Sequence, residues 1–279
     1  SSAASDVYKR QEISTIDGAV LDTTEYPVTF ETKDNTTEQY YQTFDITNYT
    51  TEIDVSKVDS TGANEIAGAN LTITDENGNV VDTWVSTTEI HKIEGIKAGK
   101  TYTLTEDMSP LGYNIANSIE FTVQNNKEIQ KVSMTDNTVK VNKVDNNGNL
   151  LQGATLQVVS AKTKNIIDKW VTGQHIFDVT EDILASIKEN GSVENMYVDE
   201  DDATVLYKIV SNSNSNDYTL MLVKDGEVNY YCIDANGNET SHMVRGLQEG
   251  DEYRLVELQA PDKYCLLYTS PSPRDISGS

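Results

Sequence analysis

Positive charge is scarce in this chain: 21 lysines and arginines stand against 45 aspartates and glutamates over 279 residues, a formal net charge of −24. That balance argues against nucleic acid or an anionic membrane as partner, since both would repel it, and suits a soluble extracellular surface. Long apolar runs are missing as well. No stretch approaches the length of a membrane helix and no charged-then-apolar signal segment is present, so no membrane insertion is expected within the chain. The histidines, His91, His175 and His242, are scattered without metal-ligand spacing and read as structural or solvated. No serine or cysteine comes with a plausible base and orienting group, so hydrolase chemistry has no support, and neither turnover nor a cofactor is expected. The acidic run from Val198 to Asp202 lacks the spacing of a calcium loop and reads as a solvated turn.

Cysteine is nearly absent too, with Cys232 and Cys265 alone. Cys265 opens CLLYTSPSPRD, which is similar to the translated complement of a transposon-end sequencing adapter, and SSAASDVYKRQ at residues 1–11 is similar to the translated adapter itself. Residues 1–11 and 265–279 are therefore set aside as not native, and residues 12–264 are expected to be a fragment open at both ends. One native cysteine permits no intrachain disulfide, and Cys232 reads as a buried or incidental thiol. An exported multi-domain protein without disulfides needs another source of robustness.

With 37% hydrophobic residues the chain can bury real cores in two domains of ordinary size. Short alternating segments are separated by turn signals, ENGN at 76–79, KAGK at 97–100 and QNNK at 124–127. This pattern predicts an all-β protein built of tandem immunoglobulin-like β-sandwich modules. Residues 12–50, with YPVTF and YYQTFDITN, read as the last strands of a truncated module, and residues 51–138 as a complete one. Residues 139–264 repeat it: Lys57, Gly68-Ala69 and Trp84 correspond to Lys143, Gly153-Ala154 and Trp170. The tryptophans read as core anchors. An insertion at about 173–241 interrupts this repeat, which ends before its last strands. The insertion is expected to hold a helix with Thr180 as N-cap, Ile183, Leu184 and Ile187 on one face and Gly191 as stop. A hairpin turning at Asp225-Gly226 follows.

Chemistry enters through three strand patterns, Ile53-Val55-Lys57, Tyr102-Leu104-Glu106 and Val132-Met134-Asp136. Side chains alternate with period two, so each charged residue falls on its strand's apolar face. Burying an unpaired charge costs several kcal/mol, so the trio is either a salt-bridged cluster or a set of reactants. Desolvation lowers a lysine pKa and raises a carboxyl pKa, which makes neutral amine and neutral acid accessible together. Held in near-attack geometry at an effective concentration of roughly 10⁵ M or more, they can form an amide once per molecule. Glu106 would polarise the Asp136 carbonyl and shuttle the proton. Val139-Val141-Lys143 and Tyr253-Leu255-Glu257 repeat the first two elements, and Phe44-Ile46-Asn48 the third. These are read as incomplete sites: Asn48 lacks its lysine, and Lys143 with Glu257 lacks an acceptor.

VSKVD, AGANLTITDENGNVV, YTLTEDMSPLGY and KVSMTDN resemble the collagen-adhesin B-type domains (CnaB-like, SpaA-type prealbumin-like) of Gram-positive surface proteins and pilins. The match is especially close to the domain from which the SpyTag and SpyCatcher pair was made. The resemblance implies a lysine on the first strand bonded to an Asp or Asn on the last, assisted by a Glu in an E-[ST]-x-x-P-x-G-Y region; those places fall on Lys57, Asp136 and Glu106. Asn137 is adjacent, but alternation puts it on the opposite face. Asp107 stands where the family usually has a small residue and is expected to point outward. By the same resemblance the chain is a wall-attached surface stalk whose partners are neighbouring modules of the same chain. A second expectation is that the insertion presents a surface to a host protein or glycan, for which an outward Tyr218, Tyr230 or Tyr231 would be the sign. A third is an accessory domain of a secreted polysaccharide-degrading enzyme.

Overall fold

Strand alternation in the sequence becomes two stacked sheets between residues 51 and 138. A computed structural model describes residues 7–29, 45–198, 203–212 and 216–265. Before the first sandwich, β1 (Val7–Arg10) pairs antiparallel with β2 (Tyr26–Thr29), so part of the segment set aside on sequence is a strand of this ribbon. The Phe44-Ile46-Asn48 alternation does not become a strand. Phe44 lies outside the described residues, and Asp45–Tyr49 is irregular and exposed. Among the described residues no strand lies beside it to pair with. The acidic run's Asp199 to Asp202 also lies outside the described residues.

The first sandwich contains β3 (Glu52–Val58), β4 (Asn70–Thr74), β5 (Val80–Val85), β6 (His91–Glu94), β7 (Thr101–Met108), β8 (Ile119–Thr122) and β9 (Gln130–Thr135). One sheet runs β6-β3-β9 and the other β5-β4-β7-β8. Their facing side chains make one core, in which Ile53, Leu71, Ile73, Leu104 and Met134 are at most 1% exposed. Each such side chain contributes roughly 1.5–3 kcal/mol by burial. The first and last strands, β3 and β9, are parallel neighbours, with Lys57 opposite Met134 and Val58 opposite Thr135.

The repeat continues with β10 (Lys140–Val141), β11 (Thr155–Ser160), β12 (Ile166–Val171), α1 (Glu181–Asn190), β13 (Ser192–Val198), β14 (Ala203–Ser211), β15 (Tyr218–Lys224), β16 (Glu227–Ile233), β17 (His242–Met243) and β18 (Tyr253–Gln259). Strands β12-β11-β18 form one sheet and β10-β17 another, around Leu156, Val158, Trp170, Val244 and Leu247. In α1 the Thr180 hydroxyl accepts from the Ile183 N–H at 3.3 Å, Ile187 is buried, and Gly191 ends the helix at φ 77°. Asp225 and Gly226 both take positive φ, 54° and 81°, the two-residue turn whose twist matches paired strands. The insertion lies within the expected bounds but holds two more strands than the expected helix and hairpin. Strands β13 and β14 join the hairpin in a four-stranded sheet whose core of Ile187, Ile209, Leu220 and Ile233 is its own.

Both tryptophans anchor cores, and each also stacks on a histidine. Trp84 lies on His91 and Trp170 on His242, ring centroids 4.0 Å apart in both pairs. His91 Nε2 is 2.8 Å from Asp82 and His242 Nε2 is 2.8 Å from Asp168. His242 is buried and has a second carboxylate, Glu239, 2.8 Å from Nδ1. Burial pulls its pKa down, but hydrogen bonds to Asp168 and Glu239 outweigh this and hold it above the ordinary 6.5. A raised folded pKa gives stability that is complete below 6.5 and lost as pH rises through the folded value. Amide protection in β12 and β17 is therefore expected to fall as pH rises above 6.5, and His242→Gln to flatten that dependence. A wild-type profile flat over this range would contradict the assignment.

Candidate functional site

The alternation of β3 carries Lys57 into the core, where it is 2% exposed; Glu106 is 4% and Asp136 0% exposed. Lys57 Nζ contacts Asp136 Oδ1 directly and lies 3.1 Å from Glu106 Oε1. Asp136 is the first residue after β9, and its N–H donates to the Val58 carbonyl at 2.9 Å. That bond fixes its backbone beside Lys57. Asn137, next along, is exposed, so the side chain buried beside Lys57 is that of the aspartate.

Glu106 is aimed by a β-bulge. Leu71 faces Glu106 and Asn70 faces Met108, which leaves Asp107 as the extra residue. Asp107 is exposed and accepts from the Thr72 hydroxyl at 2.6 Å. Glu106 Oε2 in turn accepts the Ala116 N–H at 2.6 Å, leaving Oε1 toward Lys57. The repeat has the same bulge, with Leu156 opposite Glu257 and Thr155 opposite Gln259.

The electrostatics of the trio favour a neutral acid. Burial pushes the Asp136 carboxyl up, Lys57 pulls it down by less, and Glu106 adds to the rise; the result is about 7. Near neutral pH a large share of Asp136 is thus protonated. Its Oδ2 is buried without a hydrogen-bond partner, an arrangement that costs about 1–3 kcal/mol. An amine, a protonated carboxyl and a second carboxyl held by a backbone N–H have what amide formation requires: nucleophile, electrophile and proton carrier.

Of the incomplete sites, Lys143 Nζ lies 2.8 Å from Glu257 Oε1, with 19% and 10% of the side chains exposed. Asn48 is exposed and donates to Glu12 Oε1 and to Thr15 Oγ1, both at 2.7 Å. Glu12 is a site residue that the sequence reading passes over. Its Oε2 accepts from the Asp22 N–H, ten residues on, at 2.8 Å, just as Glu106 accepts from Ala116, ten residues on, at 2.6 Å. The Val20 N–H bonds the carbonyl of Tyr49 at 2.7 Å, as the Asn114 N–H bonds that of Asn137 at 2.9 Å. Glu12 and Asn48 are therefore disposed like Glu106 and Asp136. The signal was in the spacing: Glu12, Thr15 and Gly18 fall as Glu106, Ser109 and Gly112 do. Ile16 and Ala19 in place of Pro110 and Tyr113 hide it.

The insertion tyrosines do not form an outward patch. Tyr230 is 6% exposed, and Tyr218 and Tyr231 are half-buried against the insertion's own core. Among the described residues no group of three His, Cys, Asp or Glu side chains is arranged so that it could hold a metal ion, and no helix is long and apolar enough to cross a membrane.

Residues 51–138 match the family model of the SpaA prealbumin-like fold domain. This segment is a SpaA-type prealbumin-like domain. Lys57, Glu106 and Asp136 all lie inside the SpaA-type domain. Among solved structures the chain is similar to the Bacillus anthracis TIE protein, at 18% identity and TM-score 0.34, covering 88% of this chain. It spans 40% of that protein's length. The shaft pilin SpaA of Lactobacillus rhamnosus GG matches at 14% identity and TM-score 0.27, over 77% of this chain and 90% of that one. A streptococcal ancillary pilin matches at 17% identity and TM-score 0.29, over 95% and 70%. No curated protein matches the chain.

Proposed function

We propose that Lys57 and Asp136 of the SpaA-type domain join in an isopeptide bond, and that the chain is a stalk segment of a Gram-positive surface adhesin or pilin. The observation that carries this reading is the buried contact of Lys57 with Asp136 beside Glu106. The Lys57 amine attacks the carboxyl carbon of protonated Asp136. Glu106 takes a proton from the nitrogen and returns it to the departing hydroxyl. One water leaves and one amide remains, and neither side chain can take up a charge again. The reaction occurs once per molecule, so the role is structural rather than enzymatic.

The position of the bond suits a stalk. Tension entering at Glu52 runs along β3 to Lys57, crosses to Asp136 and leaves toward the next module, bypassing everything between. The two residues are 79 apart in sequence, and closing a loop of that size stabilises by about 4–5 kcal/mol through chain entropy. On the same reading, Glu12 with Asn48 belongs to the preceding module and Lys143 with Glu257 to the following one. The partners of residues 51–138 are then neighbouring modules, and the setting is the wall-attached cell surface.

Pulling single molecules by their ends tests the stalk role. Residues between Lys57 and Asp136 are expected to add no extension at any force that spares covalent bonds, whereas in Lys57→Ala they extend fully. Equal extension of the two proteins would sink the proposal.

A further inference from the structure

The insertion's hairpin packs on the SpaA-type domain as well as on its own core. Ile66 and Tyr113 of the domain share an apolar cluster with Met221, Tyr230, Cys232 and Met243. Backbones meet there: the Tyr230 N–H donates to the Leu111 carbonyl at 2.8 Å, and the Ile115 N–H to the Leu247 carbonyl at 3.0 Å. The Tyr230 ring stands edge-on to Tyr113, centroids 4.8 Å apart, and its hydroxyl accepts the Ala67 N–H at 2.9 Å. The approach is close enough to require glycine on the domain side. A Cβ at Gly68 would sit 2.7 Å from Val228 Cβ, and one at Gly112 2.9 Å from the Tyr230 carbonyl oxygen.

This contact lies directly over the reacting groups. The Ile66 N–H donates to the Lys57 carbonyl at 2.7 Å, and Asn114, the residue after Tyr113, bonds the carbonyl of Asn137. Ile66 is 0% and Tyr113 6% exposed, and beyond them the cluster consists of side chains from the following repeat. Burial, with the charge of Asp136 adding to it, pushes the Tyr113 and Tyr230 hydroxyls up, so the cluster stands close to the trio.

We propose that hairpin β15–β16 is a lid supplied by the following repeat, which excludes water from the Lys57–Asp136 site and thereby speeds cross-linking in the domain before it. The proposal rests on the isopeptide reading above. It gives the insertion a reason to occur where it does: the covalent closure of one module is coupled to the folding of the next. Burial is what keeps the Asp136 carboxyl neutral, so loosening the lid hydrates the acid and withdraws the electrophile.

The test follows water loss by intact mass against time after refolding the full chain. Wild type is compared with Tyr230→Ala and with Val228→Glu, which sets a charge against Gly68. Amide protection of β4 and β7 is read in the same samples. At about pH 8, above the Asp136 value of about 7, both variants are expected to cross-link about tenfold more slowly, the factor that accompanies one unit of lost carboxyl pKa shift, with β4 and β7 as protected as in wild type. Water loss at the wild-type rate in both variants overturns the lid and leaves the bond standing. Wild type that never loses water overturns both.

Discussion

Replacing Lys57 by alanine is expected to destabilise residues 51–138 by several kcal/mol and to make the remaining stability depend steeply on pH. Two losses combine. The covalent loop closure, about 4–5 kcal/mol, disappears. Asp136, an amide in cross-linked wild type, is left beside Glu106 as a buried carboxyl with no cation, and an uncompensated buried charge of this kind costs about 3–5 kcal/mol. The pH dependence follows from Asp136. Its folded pKa is raised from 3.8 to about 7 even with Lys57 beside it, and losing that downward pull moves it further up. A raised carboxyl contributes stability that is complete below 3.8 and lost as pH rises through the folded value. The variant should therefore be most stable in mild acid and unfold as pH climbs past about 7. Cross-linked wild type has no Asp136 carboxyl and should lack this slope. Denaturant midpoints measured across pH check both points, and a variant matching wild type at neutral pH would contradict them.

Glu106→Gln is expected to slow bond formation by about 10²–10⁴-fold, the usual contribution of a positioned proton carrier. Glutamine keeps the shape and can still accept the Ala116 N–H with its amide oxygen, so amide protection of β4 and β7 should not change. A structural role for Glu106 would show the reverse: altered protection with an unchanged rate. The wild-type rate should also fall as pH rises past about 7, because ionised Asp136 is no electrophile.

The faces of β3, β7 and β9 were legible because period-two alternation needs no knowledge of neighbours, and the same held for the caps of α1 and the Asp225-Gly226 turn. Partnership was harder to read. Tyr230 alternates as an inward residue, but nothing local says that it buries against Ala67, 163 residues away. The Asp–His–Trp arrangement hid for a similar reason: His91 follows Asp82 by nine residues, whereas with the insertion His242 follows Asp168 by 74. Asp45 to Tyr49 shows the opposite error, an alternating pattern with no neighbouring strand among the described residues. Glu12 was missed because a motif was sought by its proline and tyrosine rather than by the carboxylate and its hydrogen-bonding partner.

The most direct measurement is the intact mass of the whole chain under denaturing conditions, followed by sequencing of any linked peptides. The account predicts a mass short by one water, with Lys57 and Asp136 on the joined peptides. A full mass from folded protein, or loss of ammonia with Asn137 as the linked residue, would contradict it.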